Sequence, residues 1–160
     1  MIRPLVWFSA WQRRKGEPKH DAAKGLVVFG NPAFQDPKKL NELLFAHDDV
    51  SIWAGERNVQ LSNEPDGLVT LDDALDEWVA DPVIGPKLAN EVGVYLGNMI
   101  VGNVPGARWT VWPNGHPVVG LASGSEVDVT ALVGQRLRSG GKGLPVIYSN
   151  AMNSGVEGRA

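Results

Sequence analysis

Residues 108–119, RWTVWPNGHPVV, carry the clearest indication of secondary structure in the chain. Asn114 and Gly115 form a pair that is preferred in two-residue hairpin turns, because both turn positions there need a positive φ. Apolar residues flank this pair on both sides and are typical of two antiparallel strands. We therefore expect a hairpin over residues 108–121 at the centre of a small antiparallel sheet.

A two-residue turn at this position also predicts which residues pair. Trp112 would face Pro117, and Val111 would face Val118. Because side chains alternate between the faces of a sheet, this register fixes two groups. One face would carry Trp109, Val111, His116 and Val118, and the other Arg108, Thr110, Trp112, Val119 and Leu121. Neither group is clearly polar, so we expect helices to cover one face and a helix, a ligand or a partner to cover the other.

Before the hairpin, the spacing of apolar residues predicts three helical segments. The first covers residues 36–58, with a break near Asp48. The second begins after Thr70, a candidate N-cap, and ends before Pro82. The third lies within residues 85–106.

Gly93 and Gly97 stand four residues apart in the third segment. Each glycine costs about 1 kcal/mol relative to alanine inside a helix. At this spacing the two glycines form a smooth face that another backbone can approach closely. We therefore expect this helix to be central and mostly buried.

After the hairpin, the sequence predicts short elements separated by turns. Residues 124–129 offer a third strand. Thr130 is a candidate cap for a helix that Gly140 would end. Residues 144–150 predict an edge strand, since Pro145 cannot donate to a ladder.

These elements indicate a single α+β domain over residues 25–150. A small antiparallel sheet built on the 108–121 hairpin would pack against three or four helices. Residues 1–24 form a basic, aromatic N-terminal arm in this interpretation, and residues 151–160 a flexible C-terminal tail. The length of 160 residues and the 43% hydrophobic content suit one such domain.

Charge is unevenly distributed along the chain. Residues 1–24 hold six basic and two acidic residues, whereas residues 25–100 hold four basic and thirteen acidic ones. Residues 58–86 contain seven acidic residues and no basic one. Such a segment repels phosphate backbones, so we predict no nucleic-acid partner.

Composition excludes further classes of site. The chain has no cysteine, which excludes disulfides, thiolate zinc sites, iron–sulfur clusters and a cysteine nucleophile. No stretch approaches the ~18 apolar residues of a membrane span, and no secretory signal is visible. We predict a cytoplasmic protein with at most a weak peripheral membrane contact through the arm.

His116 is the most interesting candidate for chemistry, but its surroundings in sequence do not support a catalytic role. The other histidines, His20 and His47, lie in the arm and in another helix, at no metal-ligand spacing. We expect His116 to be exposed at a strand start and to have a structural role. A catalytic or ligand-binding role is the alternative.

Two other clusters have simpler interpretations than catalysis. Asp72, Asp73, Asp76 and Glu77 are typical of a solvated helix face, with a docking surface for something basic, the arm included, as the alternative. Residues 139–143, SGGKG, depart from the phosphate-loop pattern at Arg136 and Gly143. We therefore predict no catalytic residue, no metal and no cofactor.

The stretch NEVGVYLGNMIVGNVPGARWTVWPNGHPVVGLASGSEVDVTALVGQRL, residues 90–137, resembles a family of uncharacterised actinobacterial proteins. The shared features are Y-L-G, then G-A-R-W and W-P-N-G-H-P-V-V, then a D-V with a closing helix. The resemblance covers roughly residues 68–140 and implies no known activity. The layout is also similar to small α+β domains that act as bacterial interaction or immunity modules, which is an analogy of fold alone.

The leading functional hypothesis is a non-enzymatic protein-interaction or regulatory module with an unknown protein partner. The predicted contact residues are Trp112, His116, Pro117, Arg108, Trp7 and Trp11, with Trp112 and Pro117 as exposed anchors. The alternative is a small-molecule-binding protein or enzyme, with a pocket between the 88–103 helix and the 108–121 hairpin.

Overall fold

The computed structural model describes residues 44, 48–62, 64–113 and 115–157. Its α-helices are α1 (Asp49–Glu56), α2 (Gly67–Trp78), α3 (Leu88–Asn103), α4 (Val129–Ser139) and α5 (Leu144–Glu157), and its strands are β1 (Arg108–Val111), β2 (Pro117–Gly120) and β3 (Glu126–Val127). The strands form an antiparallel sheet in the order β1-β2-β3, which confirms the predicted α+β class. The described part of the chain holds these five α-helices and a short 3₁₀ helix, Gly85–Lys87, where three or four helices were expected. The predicted arm, residues 1–24, lies outside the described residues.

The hairpin forms at the predicted place, but its register differs by one residue from the prediction. Val111 pairs with Pro117, and the backbone N–H of Trp112 donates to the carbonyl of His116 at 2.9 Å. The N–H of Gly115, whose φ is 88°, donates to the carbonyl of Trp112 at 2.8 Å. A tight turn thus runs from Trp112 to Gly115, and the glycine supplies the positive φ that a three-residue loop needs.

The change of register regroups the side chains, because one step moves a residue to the opposite face of the sheet. Trp109 now pairs with Val119, and both are buried in the hydrophobic core. Trp112 and His116 share the other face. The predicted grouping of Trp109 with His116 is therefore wrong.

Helix α3 is the central helix, as the glycine pair predicted, and most of its residues are buried. A Cβ placed on Gly93 would lie 2.8 Å from the Cα of Thr130 in α4. A Cβ on Gly97 would overlap the ring of Trp109. The two glycines thus admit a neighbouring backbone and a buried indole, respectively.

The ends of α1, α2 and α4 show which helix ends the local sequence predicts correctly and which it does not. The expected break near Asp48 is confirmed, because the Asp48 side chain accepts from the N–H of Ser51 at 3.1 Å and caps α1. Helix α2 begins three residues before Thr70, so the predicted cap is wrong. The N-cap position is held by Asp66, which follows Pro65 in the turn before the helix. Helix α4 does end at Gly140, with a φ of 63°.

The predicted edge strand at 144–150 is wrong, because the chain is helical from Leu144 to Glu157. Pro145 fits the first turn of a helix, where a backbone N–H has no partner to lose. The N–H of Leu144 instead donates to Asp72 Oδ1 at 3.0 Å, so a carboxylate from α2 caps α5. Residues 151–157, predicted as part of a tail, continue this helix.

The acidic face of α2 has a basic partner within the fold. Arg136 Nε of α4 lies 3.3 Å from Asp72 Oδ1, and its Nη2 lies 3.0 Å from Asp76 Oδ1. The Arg136 side chain is only 14% exposed. The acidic face therefore helps to fix α4 and α5 on α2, in addition to facing solvent.

The turn after α2 gives a prediction for acid stability. The N–H of Val83, the guanidinium of Arg57 and the N–H of Ile84 all donate to the Asp81 carboxylate and hold its pKa below the ordinary value of 3.8. A lowered pKa in the folded state means that the ionised carboxylate stabilises the fold above about pH 4 and that this contribution is lost as the pH falls further. We expect the difference in unfolding free energy between wild type and Asp81→Asn, measured in urea from pH 6 to pH 3, to shrink as the pH falls. A difference that stays constant over this range would contradict the assignment.

Candidate functional site

His116 directly precedes β2 and is 0% exposed, so the expected exposure is wrong. Its Nε2 lies 2.8 Å from Asp128 Oδ1. Its ring also packs against the Trp112 ring, with centroids 5.3 Å apart and planes at 44°. The imidazole is buried because the corrected register places it beside Trp112 and opposite the start of α4.

Asp128 joins the sheet to α4. It is the N-cap of α4, and its Oδ1 accepts from the N–H of Ala131 at 3.1 Å, whereas the sequence had suggested Thr130 as the cap. The Thr130 hydroxyl donates to the same oxygen at 3.2 Å. One carboxylate thus fixes the helix start, the threonine and the imidazole of His116.

Trp112 is half-buried directly after β1. Its indole Nε1 donates to Glu126 Oε2 of β3 at 2.7 Å. Trp112, His116, Glu126, Asp128 and Thr130 therefore form one connected group, which we call the Trp112 network. Arg108 is exposed and, four residues before Trp112, belongs to the same face of the hairpin.

Pro117 is buried, so the prediction that it is an exposed anchor is wrong. It opens β2, the middle strand of the sheet. A proline is tolerated there because the first residue of a strand need not donate to the ladder. The predicted contacts Trp7 and Trp11 lie outside the described residues.

The geometry of the Trp112 network does not match nucleophilic activation. In a catalytic triad, the acid and the nucleophile bind different nitrogens of the histidine. Here Asp128 Oδ1 and Thr130 Oγ1 both approach His116 Nε2, at 2.8 and 3.5 Å. The Thr130 hydroxyl also directs its proton to Asp128. This arrangement positions Trp112 and the start of α4, and it does not prepare a hydroxyl for attack.

The sequence did not identify Glu126 and Asp128 as partners of the hairpin. The pattern that could have identified them is the segment EVD, residues 126–128. Residues two apart in a strand lie on the same face, so Glu126 and Asp128 share one face of this short strand. Which face of the sheet Glu126 and Asp128 occupy is determined by the pairing of Val119 with Val127, and the local sequence does not predict this pairing.

Where the sequence predicts a pocket between the 88–103 helix and the hairpin, the ring of Trp109 packs directly against Gly97. A cleft of about 380 Å³ lies between β3, α4 and α5. Its lining consists of Leu121, Ser125, Glu126, Val127, Asp128, Ala131, Leu132, Gln135, Lys142, Ile147, Asn150, Ala151 and Ser154. We call it the β3–α5 cleft. It shares Glu126 and Asp128 with the Trp112 network.

Two further classes of feature are absent from the part of the chain that the structure describes. No helix there has the length and apolar character needed to cross a membrane. No group of three or more histidine, aspartate or glutamate side chains lies in a position to hold a metal ion among the same residues.

Comparison with known proteins places the chain in a family but assigns no activity. No curated protein and no solved structure matches it. A family model does match, and it covers residues 4–154, which includes most of the segment predicted as an arm. The chain therefore belongs to a family of unknown function, DUF6278.

Proposed function

We propose that this protein is a non-enzymatic interaction module and that Trp112 and Arg108 contact its protein partner. The observation that carries the proposal is the support of the Trp112 indole from two directions. Glu126 binds its Nε1, and the buried His116 packs against its ring. Asp128 in turn fixes His116 at 2.8 Å.

An aromatic side chain held in this way is well suited to binding. A side chain that is already fixed loses little conformational entropy when a partner docks on it. Tryptophan and arginine are also the residue types most enriched among those that dominate interface energies. Because Trp112 is only partly buried and Arg108 is exposed, both are accessible to a partner.

The remaining predicted contacts have different roles in this proposal. His116 and Pro117 are buried and support the surface without touching the partner. Trp7 and Trp11 stay predicted contacts of the arm. The proposal also keeps the sequence-based prediction of an actinobacterial, cytoplasmic protein, which fractionation of the source cells would test.

Capture of partners from a lysate of the source organism tests the proposal. We expect Trp112→Ala to lose a protein that the wild-type chain retains, because the variant removes the anchor. Val83→Ser is the matched control, since Val83 is 68% exposed and lies in the turn after α2. Circular dichroism must show that both variants are folded.

Two results would overturn the proposal. The first is that wild type and Trp112→Ala retain the same proteins. The second is that Val83→Ser loses the retained protein as Trp112→Ala does, which would show that the loss is not specific to Trp112.

A further inference from the structure

One side of the central helix α3 buries two polar side chains. Asn90 is 4% exposed and Glu91 is 6% exposed, although asparagine and glutamate mostly lie at protein surfaces. The amide Nδ2 of Asn90 donates to Glu91 Oε1 at 3.0 Å, so the two side chains lie next to each other. We call them the Asn90–Glu91 pair.

The Asn90–Glu91 pair offers mainly acceptor atoms. Within the described part of the chain, the buried Oδ1 of Asn90 accepts no hydrogen bond. An ionised glutamate accepts at both of its carboxylate oxygens and donates at neither. A carboxylate is tolerated inside a protein when a cation lies beside it. The pair therefore suits a positively charged group that donates to several oxygens at once.

The chain that precedes Leu44 joins the domain on this same side of α3. The side chain of Asn98 donates from its Nδ2 to the carbonyl of Leu44 at 2.8 Å. Asn98 follows Glu91 by seven residues, which is two helical turns, so both residues lie on one side of α3. Their separation along the helix axis is about 10 Å. Residues 1–43 are thus connected to the domain close to the Asn90–Glu91 pair.

The N-terminal arm has the charge that complements the pair. Residues 1–24 hold six basic and two acidic residues. Among the lysines and arginines that the structure describes, only Arg57 and Arg136 are partly buried, and they bind Asp81 and Asp72. The other described lysines and arginines are exposed. The arm, with its excess of positive charge, is therefore the segment best suited to a buried carboxylate.

We propose that the arm docks on this side of α3 and that one of its adjacent arginines, Arg13 or Arg14, binds the Asn90–Glu91 pair. A guanidinium has five N–H donors in one plane and can bind both carboxylate oxygens and the Asn90 Oδ1 together. It is also less strongly hydrated than a lysine ammonium, which favours arginine in buried ion pairs. This docking does not depend on the proposed partner surface.

A double-mutant cycle in the full chain tests the ion pair. Arg13→Gln and Arg14→Gln are made separately, and urea unfolding gives the equilibrium constant of folding. One of the two should lower this constant at least about 10-fold, as loss of a hydrogen bond to a buried charge predicts. In a Glu91→Gln background the same substitution should have a much smaller effect, because glutamine has no charge to neutralise. Arg3→Gln and Lys15→Gln are matched controls in the same arm.

A spin label locates the arm directly. The chain has no cysteine, so Ser9→Cys takes a nitroxide at a single position beside the two arginines. We expect the label to weaken the amide signals of Glu91 and Val94 in the nuclear magnetic resonance spectrum. The signals of Asp73 and Glu77, on the acidic face of α2, should keep their intensity. This measurement leaves Glu91 unchanged, so it tests the docking even if Glu91→Gln does not fold.

Three results would overturn the proposal. The first is that neither arginine is coupled to Glu91. The second is that Arg3→Gln or Lys15→Gln is coupled to Glu91 as strongly as Arg13→Gln and Arg14→Gln. The third is that the label weakens the signals of Asp73 and Glu77 and leaves those of α3 unchanged, which would place the arm on α2.

Discussion

Replacing Gly93 by alanine is expected to destabilise the protein by about 2 kcal/mol. The added Cβ would lie 2.8 Å from Cα of Thr130, which belongs to the backbone of α4. Overpacking of this kind costs about 1–3 kcal/mol, and sometimes more when no flexible side chain can yield. The gain in helix propensity, about 1 kcal/mol, offsets only part of this cost. Urea unfolding of wild type and Gly93→Ala measures the difference.

Gly102→Ala is the matched control in the same helix. Among the described residues, no atom outside the local helix backbone and the two chain neighbours lies within 4 Å of a Cβ built at Gly102, so the propensity gain is not opposed. We expect this variant to be as stable as wild type or more stable by up to about 1 kcal/mol. If Gly93→Ala were stabilised to the same extent, α4 could not lie as close to α3 as the structure has it.

The second large effect is expected at Asp128. Asp128→Ala removes the N-cap of α4, which costs about 0.5–2 kcal/mol. It also deprives the buried His116 of a hydrogen-bond partner, which costs about 1–3 kcal/mol. We therefore expect a loss of about 2–4 kcal/mol in unfolding free energy. Asp128→Asn keeps an oxygen that can accept from Ala131, so it should lose less.

A double-mutant cycle separates the cap from the contact with the histidine. If Asp128 and His116 stabilise one another, the double variant with alanine at both positions should lose less than the two single variants together. The shared part should be at least about 1 kcal/mol, since one buried hydrogen bond is lost in either case. Strict additivity would show that the 2.8 Å contact contributes nothing to stability.

The central helix could be predicted because its signal is local. Gly93 and Gly97 identify the face on which Thr130 and Trp109 pack, although the sequence does not name those neighbours. The break at Asp48 could be predicted for the same reason, since the capping carboxylate binds a backbone N–H only three residues further along the chain. Features of this kind depend on periodicity and short-range hydrogen bonds.

The register of the hairpin and the identity of α5 could not be predicted in this way. A two-residue and a three-residue loop both suit the segment around Gly115, yet they place His116 on opposite faces. Helix α5 is capped by Asp72, which lies 72 positions away along the chain. The Trp112 network also depends on contacts between residues that are distant in sequence. Glu126 and Asp128 reach the hairpin only through the pairing of β2 with β3.

The dissociation constant of the captured partner tests most directly whether the Trp112 surface is the binding site. We would purify that partner and titrate it into wild type and Trp112→Ala by calorimetry, after matching their folded fractions from urea unfolding. Loss of a central tryptophan anchor costs at least about 2 kcal/mol, which corresponds to a dissociation constant about 30-fold higher. Equal dissociation constants for the two proteins would contradict the account.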